Sequence, residues 1–334
     1  MNKTIYHNQD LSSLSFLVTG GAGFIGSNIV SYLLKHGAGR VRVLDNFSNG
    51  FEKNISEFKQ HNRFEFIEGD IRDSATCNAA CSKIDIVLHQ AALGSVPRSI
   101  KDPLTTNAVN IQGFLNILLA AKDEHVKRFV YAASSSTYGD STSLPKKEDI
   151  IGKPLSPYAV TKYVNELYAD VFSKVYNYPS IGLRYFNVFG PKQDPNGPYA
   201  AVIPLFIDAL VNHAQPTING DGEQTRDFTF VENAVQANIK AALVQDDKAL
   251  NQIYNVAVGE RTSLNQLFEE LRQQAQSTLQ PLYGPDRPGD IRDSLADISK
   301  ARKYLNYQPA FSLKEGLKLT YEWFIHNKDF INNK

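Results

Sequence analysis

An α/β fold is predicted, built on a doubly wound parallel sheet and carrying a second, smaller α/β unit. Three observations carry this. The apolar run Ser15–Thr19 leads straight into Gly20-Gly21-Ala22-Gly23-Phe24-Ile25-Gly26 and then into an amphipathic stretch. Short apolar runs alternate with helical periodicities up to residue 257. Residues 191–230 are rich in Pro, Gly, Asp and Asn, so the chain changes character there.

The 334 residues suffice for one large or two modest domains. The 35 basic and 35 acidic side chains cancel, which argues against nucleic acid or an anionic membrane as the main partner. No apolar run is long enough to span a bilayer, and residues 1–14 lack a signal-like apolar core. Cys77 and Cys81 have no histidine nearby to complete a zinc site, so no metal is expected. They read as buried reduced thiols, which fits the cytoplasm.

Taken in order, Ser15–Thr19 is a buried strand, 27–36 a helix with Ile29, Val30, Leu33 and Leu34 apolar, and 41–44 a strand ending at Asp45. Strand, glycine turn, helix, strand and acid make the dinucleotide-binding (Rossmann) fingerprint. The glycines bring backbone N–H groups to a pyrophosphate at the helix N-terminus. Asp45 can accept both ribose hydroxyls and would repel a 2′-phosphate, so the expected cofactor is NAD. A third strand at 64–67 ends at Gly69-Asp70-Ile71, where Asp70 and Ile71 would meet the adenine, or Asp70 would cap the next helix. A fourth, 84–88, is followed by His89-Gln90-Ala91-Ala92. Small Ala91 and Ala92 let a ribose pass, and His89 reads as a structural group. Residues 103–122 form a helix with Leu104, Ala108, Ile111, Leu115 and Leu118 on its expected packing stripe and Phe114 and Ile117 outside it. The fifth strand, 129–133, runs into Ser134-Ser135-Ser136-Thr137-Tyr138, hydroxyls placed where such sheets meet ligands.

Ser156-Pro157-Tyr158 opens another helix, with Ser156 as N-cap and Pro157 in the first turn. Tyr158 and Lys162 lie one turn apart on one face. A lysine beside a phenol favours the phenolate and lowers its pKa, giving an acid–base group usable near neutral pH. The stripe Val160, Val164, Leu167, Val171 and Val175 is expected to pack. Both helices carry apolar residues off their stripes, which suggests a helix-bundle homodimer contact. Strand 181–186, helices 202–211 and 231–243, and strand 253–256 follow. The expected division is 1–186 with 231–257 for the NAD-binding unit, and 187–230 with 258–334 for the other.

These residues resemble the extended short-chain dehydrogenase/reductases: the glycine run with Thr19, then Ser134, Tyr158 and Lys162. Leu183–Asn187, Arg226-Asp227 and Arg287–Asp290 resemble the UDP-hexose 4-epimerases. His89–Arg98, Ala132–Gly139 and Gln193–Gly197 are similar to the UDP-N-acetylglucosamine 4-epimerases of bacterial surface-polysaccharide pathways. The resemblance implies Ser134, Tyr158 and Lys162 as the catalytic group. It implies a cofactor set of Gly20, Gly23, Phe24, Ile25, Gly26, Asp45, Asn46, Asp70, Ile71, Ala91, Ala92 and Asn110, with Tyr158 and Lys162. Asn187, Arg226 and Arg287 would hold the UDP pyrophosphate, as the fork of an arginine suits. Thr217 and Asn219 would flank the uracil and Asp290 the uridine ribose. Gly94, Ser135, Ser136, Gln193, Ala201 and Val202 would line the sugar site. Ser294 matches a position that is small where N-acetyl sugars are accepted.

What the resemblance implies is 4-epimerisation of a UDP-N-acetylhexosamine, with UDP-glucose and UDP-galactose as further candidates, through a 4-keto sugar with NAD regenerated. Ser135 and Ser136 stand where related dehydratases carry an Asp-Glu pair, so no acid is present to eliminate water. Arg98 could meet a 6-carboxylate, which keeps a uronic acid substrate as the alternative. The rival class is a non-catalytic NAD-binding protein of the same fold.

Overall fold

The computed structural model describes residues 4–196, 200–285 and 292–327. The first half alternates strands and helices: β1 (Ser15–Thr19), α1 (Phe24–Lys35), β2 (Arg40–Asp45), β3 (Phe64–Glu68), α2 (Ser74–Cys81), β4 (Ile86–His89), α3 (Val96–Lys101) and α4 (Pro103–Asn107). A π-helical segment, Ala108–Gly113, joins α4 to α5 (Phe114–Asp123), and β5 (Arg128–Ser134), α6 (Pro157–Tyr176) and β6 (Ser180–Tyr185) follow. The rest comprises β7 (Val188–Phe189), α7 (Val202–Val211), β8 (Thr217–Asn219), β9 (Thr225–Arg226), β10 (Thr229–Phe230), α8 (Val231–Leu243), β11 (Gln252–Val256), β12 (Thr262–Ser263), α9 (Leu264–Gln274), β13 (Leu282–Gly284), α10 (Ser299–Leu305) and α11 (Leu313–His326).

Seven strands make one parallel sheet in the order β3-β2-β1-β4-β5-β6-β11. A parallel sheet is covered on both faces, so its strands need unbroken apolar runs. Phe16, Leu17 and Val18 of β1 and Val87 and Leu88 of β4 are fully buried. One face packs α1, α8 and α10, the other α2, α5 and α6. The strand order reverses between β1 and β4, and ligands bind at the carboxyl ends of such a pair. A third apolar cluster joins Phe189, α7, Phe230, α9 and α11. The tail does not all belong to it: Ala296, Ile298, Ala301, Leu305 and Tyr307 pack on the sheet side, which departs from the expected division at 258. Cys77 and Cys81 are buried and unpaired.

One helix faces the opposite way from its apolar stripe, and in a second the stripe holds only in part, Leu118 being buried and Leu104 exposed. In α6 the buried residues are Ala159, Thr161, Lys162, Asn165, Glu166, Ala169 and Phe172, while Val160, Leu167, Val171 and Val175 are exposed. The inward face is polar because it reaches the site at the sheet's edge. The N-terminal signals do operate: the Ser156 hydroxyl oxygen accepts the Ala159 N–H at 3.1 Å, ahead of Pro157 in the first turn. In α5 the buried residues include Phe114, Ile117 and Leu118, whereas Leu104 of α4 is 82% exposed. The π-helical segment adds residues per turn, so one stripe cannot run through 103–122.

Candidate active site and cofactor cleft

Ser134 ends β5, and a 3₁₀ turn, Ser135–Tyr138, follows. The Ser134 hydroxyl oxygen accepts the Ser136 N–H at 3.2 Å and lies 2.9 Å from the Ser136 hydroxyl. It also bonds the Tyr158 hydroxyl, so strand end and helix start meet at one phenol. Lys162 Nζ lies 6.0 Å from the centre of the Tyr158 ring and donates to the Ala132 carbonyl at 2.8 Å. Burial raises the Tyr158 phenol, and the Ser134 bond opposes it. The lowering expected from Lys162 is therefore not found: burial dominates, and Ser134 is what opposes it. Burial also lowers Lys162 to about 8, opposed by Glu166. His89 is the structural group its position suggested. Its Nδ1 lies 2.7 Å from Thr19 Oγ1, and burial holds it down at about 3, hence neutral.

A cleft at the β1/β4 reversal is lined by Gly20, Gly23, Asp45, Asn46, Asp70 and Ile71, with Ala91 and Ala92 across from them. Its floor requires glycine. Gly20 has φ +68°, and a Cβ there would sit 2.7 Å from Ala91 N. A Cβ on Gly26 would meet the Gly20 carbonyl oxygen at 2.1 Å. α1 has no side-chain N-cap and no acid in its first turn, so its N–H groups suit a pyrophosphate. Asp45 accepts the Ala22 N–H at 2.9 Å and the Phe47 N–H at 2.8 Å. Each carboxylate oxygen keeps a second lone pair for a hydroxyl donor. Burial raises Asp45, against those bonds. Asn46 donates to Asp70 at 2.8 Å, and Asp70 is held down by the Arg72 guanidinium bonded to it. The donor set and the glycine floor fit a dinucleotide.

Phe24, Ile25 and Gly26 form the first turn of α1 beside the cleft rather than its lining. Asn110 does not line it either. Its amide bonds the Leu93 N–H at 2.8 Å, the Leu93 carbonyl at 3.1 Å and Thr161 Oγ1 at 3.1 Å, tying the loop after β4 to α6. Sequence reasoning missed Ser48, Asn49, Gly50, Gln90 and Val109, which do line it. The Ser48-Asn49-Gly50 run, starting three residues past Asp45, was the available signal.

On the other side, Asn187 (φ 36°) donates to the Asp227 carbonyl at 3.1 Å, which puts it beside Arg226. The Asp227 carboxylate is fully buried and accepts N–H groups from Val258, Gly259 and Ala296. Arg226 Nη1 donates to the Thr225 carbonyl at 2.9 Å, and the Ser294 N–H donates to the same carbonyl at 3.1 Å. Arg226 and Ser294 are thus neighbours. Thr217 and Asn219 lie on β8, which pairs with β13. Ala201 precedes Val202, the first residue of α7. Gln193 Nε2 donates to the Val188 carbonyl at 3.2 Å, and its Oε1 is buried without a protein partner. A Cβ on Gly94 would meet nothing within 4 Å. Arg287 and Asp290 fall outside the described residues. Arg98 Nη1 donates to Asn49 Oδ1 at 2.6 Å. A separate cavity of about 400 Å³ lies between α1 and α11, lined by Asn28, Lys35, Phe311 and Trp323; neither it nor the cleft at the β1/β4 reversal is lined by Ser134, Tyr158 or Lys162. Among the described residues no cluster of His, Cys, Asp or Glu could hold a metal, and no helix is long and apolar enough to cross a membrane.

Known proteins resemble the chain over nearly its full length. The UDP-glucose 4-epimerase of Mycolicibacterium smegmatis is 36% identical over 310 residues, 92% of this chain and 97% of that one. The structure of the UDP-N-acetylglucosamine 4-epimerase from Methanobrevibacter ruminantium in complex with UDP-N-acetylmuramic acid matches with TM-score 0.89 and 40% identity, covering 94% of this chain and 98% of that one. The structure of the UDP-glucuronic acid 4-epimerase from Bacillus cereus, with UDP-glucuronic acid and NAD, matches with TM-score 0.87 and 32% identity, covering 94% and 99%. Residues 16–257 match the sequence profile of the NAD dependent epimerase/dehydratase family. With that match, the parallel sheet and the glycine-floored cleft at the β1/β4 reversal, the chain belongs to the NAD dependent epimerase/dehydratase family.

Proposed function

We propose that the chain is a cytoplasmic UDP-sugar 4-epimerase whose preferred substrates are UDP-N-acetylhexosamines. The observation that carries the reading is the Ser134–Tyr158–Lys162 group at the carboxyl end of β5, the strand paired with β4, whose own carboxyl end borders a cleft fit for NAD. Bound NAD supplies the acceptor and donor of the hydride at carbon 4 of the sugar. Tyr158 Oη takes the proton of the 4-hydroxyl, with Ser134 Oγ bridging, and returns it after the 4-keto sugar has turned over. Burial opposes a lone phenolate, so the reaction needs the Lys162 ammonium within reach of Tyr158. Lys162 is lowered only to about 8, so it is mostly protonated at neutral pH. Asn187, Arg226 and Arg287 hold the UDP pyrophosphate and Asp290 the uridine ribose. Residues 187–230 and the cluster built on α9 and α11 form the substrate side.

Ser294, half-buried beside β9, supports acceptance of an N-acetyl group. Arg98, the cation a uronate would need, is bonded to Asn49 beside the cofactor cleft, which supports the uncharged sugar over the acid. Incubation with UDP-N-acetylglucosamine and no reductant should yield the 4-epimer on chromatographic separation of the UDP-sugars. No conversion of any UDP-hexose in the presence of NAD would leave a binding protein. Turnover that consumes stoichiometric NAD(P)H would make it a net oxidoreductase.

The same reading includes a homodimer. Val160, Leu167, Val171 and Val175 on α6 and Ile100 and Leu104 on α3 and α4 are all exposed, and those helices pack against one another. A second copy meeting this face would bury them in a helix bundle.

A further inference from the structure

The inward face of α6 carries a second buried charge that the mechanism above does not use. Glu166 stands one helical turn beyond Lys162, on the same buried face. Both of its oxygens are taken by Arg184 of β6: Nε donates to Oε1 at 2.9 Å and Nη2 to Oε2 at 2.8 Å. The pair is almost wholly buried, at 3% and 6% side-chain exposure. The remaining Nη1 donates to the Glu148 carbonyl at 2.9 Å. The guanidinium carbon also lies 4.8 Å from the centre of the Tyr138 ring, on the turn that follows Ser134. One guanidinium therefore touches the catalytic helix, the turn carrying Ser134's partner, and the strand leading to Asn187.

A buried carboxylate one turn from a buried ammonium is a competitor for it. Opposite charges at this spacing attract, and the attraction grows where water is excluded. Lys162 instead donates to the Ala132 carbonyl and lies under the Tyr158 ring. The groups facing these charges are few. His89 of β4 is neutral and lies near Lys162. Tyr131 of β5 lies near Glu166 and Arg184, and its phenol is held far above its ordinary value by burial. Tyr138 is pushed up to about 12 by burial, and Glu148, also raised by burial, bonds the Asn255 N–H at 2.9 Å. Asp170, a further turn along α6, is exposed and bonded to Lys174. Only Arg184 is a cation bonded to Glu166 among the described residues.

We propose that Arg184 is a positioning residue: by occupying both oxygens of Glu166 it keeps that carboxylate from drawing Lys162 away from Tyr158. The inference rests on the epimerase reading for its catalytic consequence, but not for the titration of Tyr158 that it alters.

Arg184→Met leaves Glu166 unpaired one turn from Lys162. The ammonium turns to the carboxylate, and the phenolate loses its partner. The acid limb of kcat should move to higher pH, and kcat at neutral pH should fall roughly tenfold or more while KM for the UDP-sugar changes by less than about threefold. Arg184→Met with Glu166→Gln removes the competitor along with its guard, and should return the limb to its wild-type position. Arg184→Lys keeps the buried charges balanced and frees one carboxylate oxygen, so it should move the limb the same way by less. This variant serves where Arg184→Met does not fold. Tyrosinate absorbance, compared between each enzyme and its Tyr158→Phe counterpart, follows Tyr158 without substrate and should shift in parallel. A merely structural pair would lower Tm and leave the limb and the Tyr158 titration of the folded protein in place, and that result would overturn the proposal. A wild type that converts no UDP-sugar would defeat the epimerase reading alone, because the titration still reports on Lys162 and Glu166.

Discussion

Lys162→Met removes the buried ammonium and keeps an unbranched chain of similar size. In the structure Nζ lies 6.0 Å from the centre of the Tyr158 ring. Two unit charges at about that separation, with an effective dielectric constant of about 20, attract by about 2.8 kcal/mol. At about 1.4 kcal/mol per tenfold, this is about a hundredfold in the phenolate population at a fixed pH. The sign is set by the charge removed. Without the cation the phenol holds its proton more tightly, so the limb on which kcat rises with pH moves upward. Turnover at neutral pH should drop by about a hundredfold and recover toward alkaline pH. Lys162→Arg keeps the charge and should hold the limb in place even if positioning suffers. The assay is kcat from chromatographic product formation across neutral to alkaline pH, with NAD saturating. A Lys162→Met limb at the wild-type position, or a loss within about threefold at neutral pH, would refute the electrostatic coupling.

Tyr158→Phe keeps the ring and removes the acid–base oxygen, so kcat should fall by about 10²- to 10⁴-fold with Tm unchanged; a variant near wild-type rate would remove Tyr158 from the mechanism. Gly26→Ala sets a Cβ against the Gly20 carbonyl, where only backbone could yield, and dinucleotide affinity by titration should fall roughly ten- to hundredfold, equal affinity refuting the close approach. Ser294→Tyr should lower kcat/KM for the N-acetyl substrate by roughly ten- to hundredfold and spare UDP-glucose, while equal effects on both would move the gate elsewhere. Leu167→Lys with Val171→Lys should give a monomer by light scattering, and a dimer unchanged by these charges would place the interface on another face.

The sheet was legible because parallel strands announce themselves as apolar runs, and Phe16-Leu17-Val18 and Val87-Leu88 lie at its centre as expected. The glycine turn and Asp45 were legible because their chemistry is local: a tight turn, a helix start and an acid at the next strand end. The inward faces of α5 and α6 were not. Periodicity assumes that the apolar stripe is the buried one, and in α6 the buried stripe is Lys162, Asn165 and Glu166 because the helix faces a polar site. In the helix before β5 the π-helical segment shifts the register, so the sequence stripe is split: Leu104 turns outward, while Leu118 stays buried with Phe114 and Ile117. Pairings across long separations carry no local signal at all. Nothing near Arg184 points to Glu166, and nothing near Asp227 points to Ala296. The same limit hid Gln90, whose amide joins Tyr185 and Asn238 in a closed ring of hydrogen bonds at the cleft.

The Asp227 carboxylate has a mechanical consequence. It is fully buried and receives N–H groups from the segment just past β11 and from Ala296, while its own carbonyl holds Asn187 just past β6. Arg226, the next residue back, is therefore held from two sides: by the Asp227 knot on the parallel sheet, and by β9 pairing with β12, the strand that opens α9. The sheet and the outer layer built on α9 and α11 are thus stapled to one another at this residue, and a shift of α9 against the sheet would have to be absorbed within β9 itself.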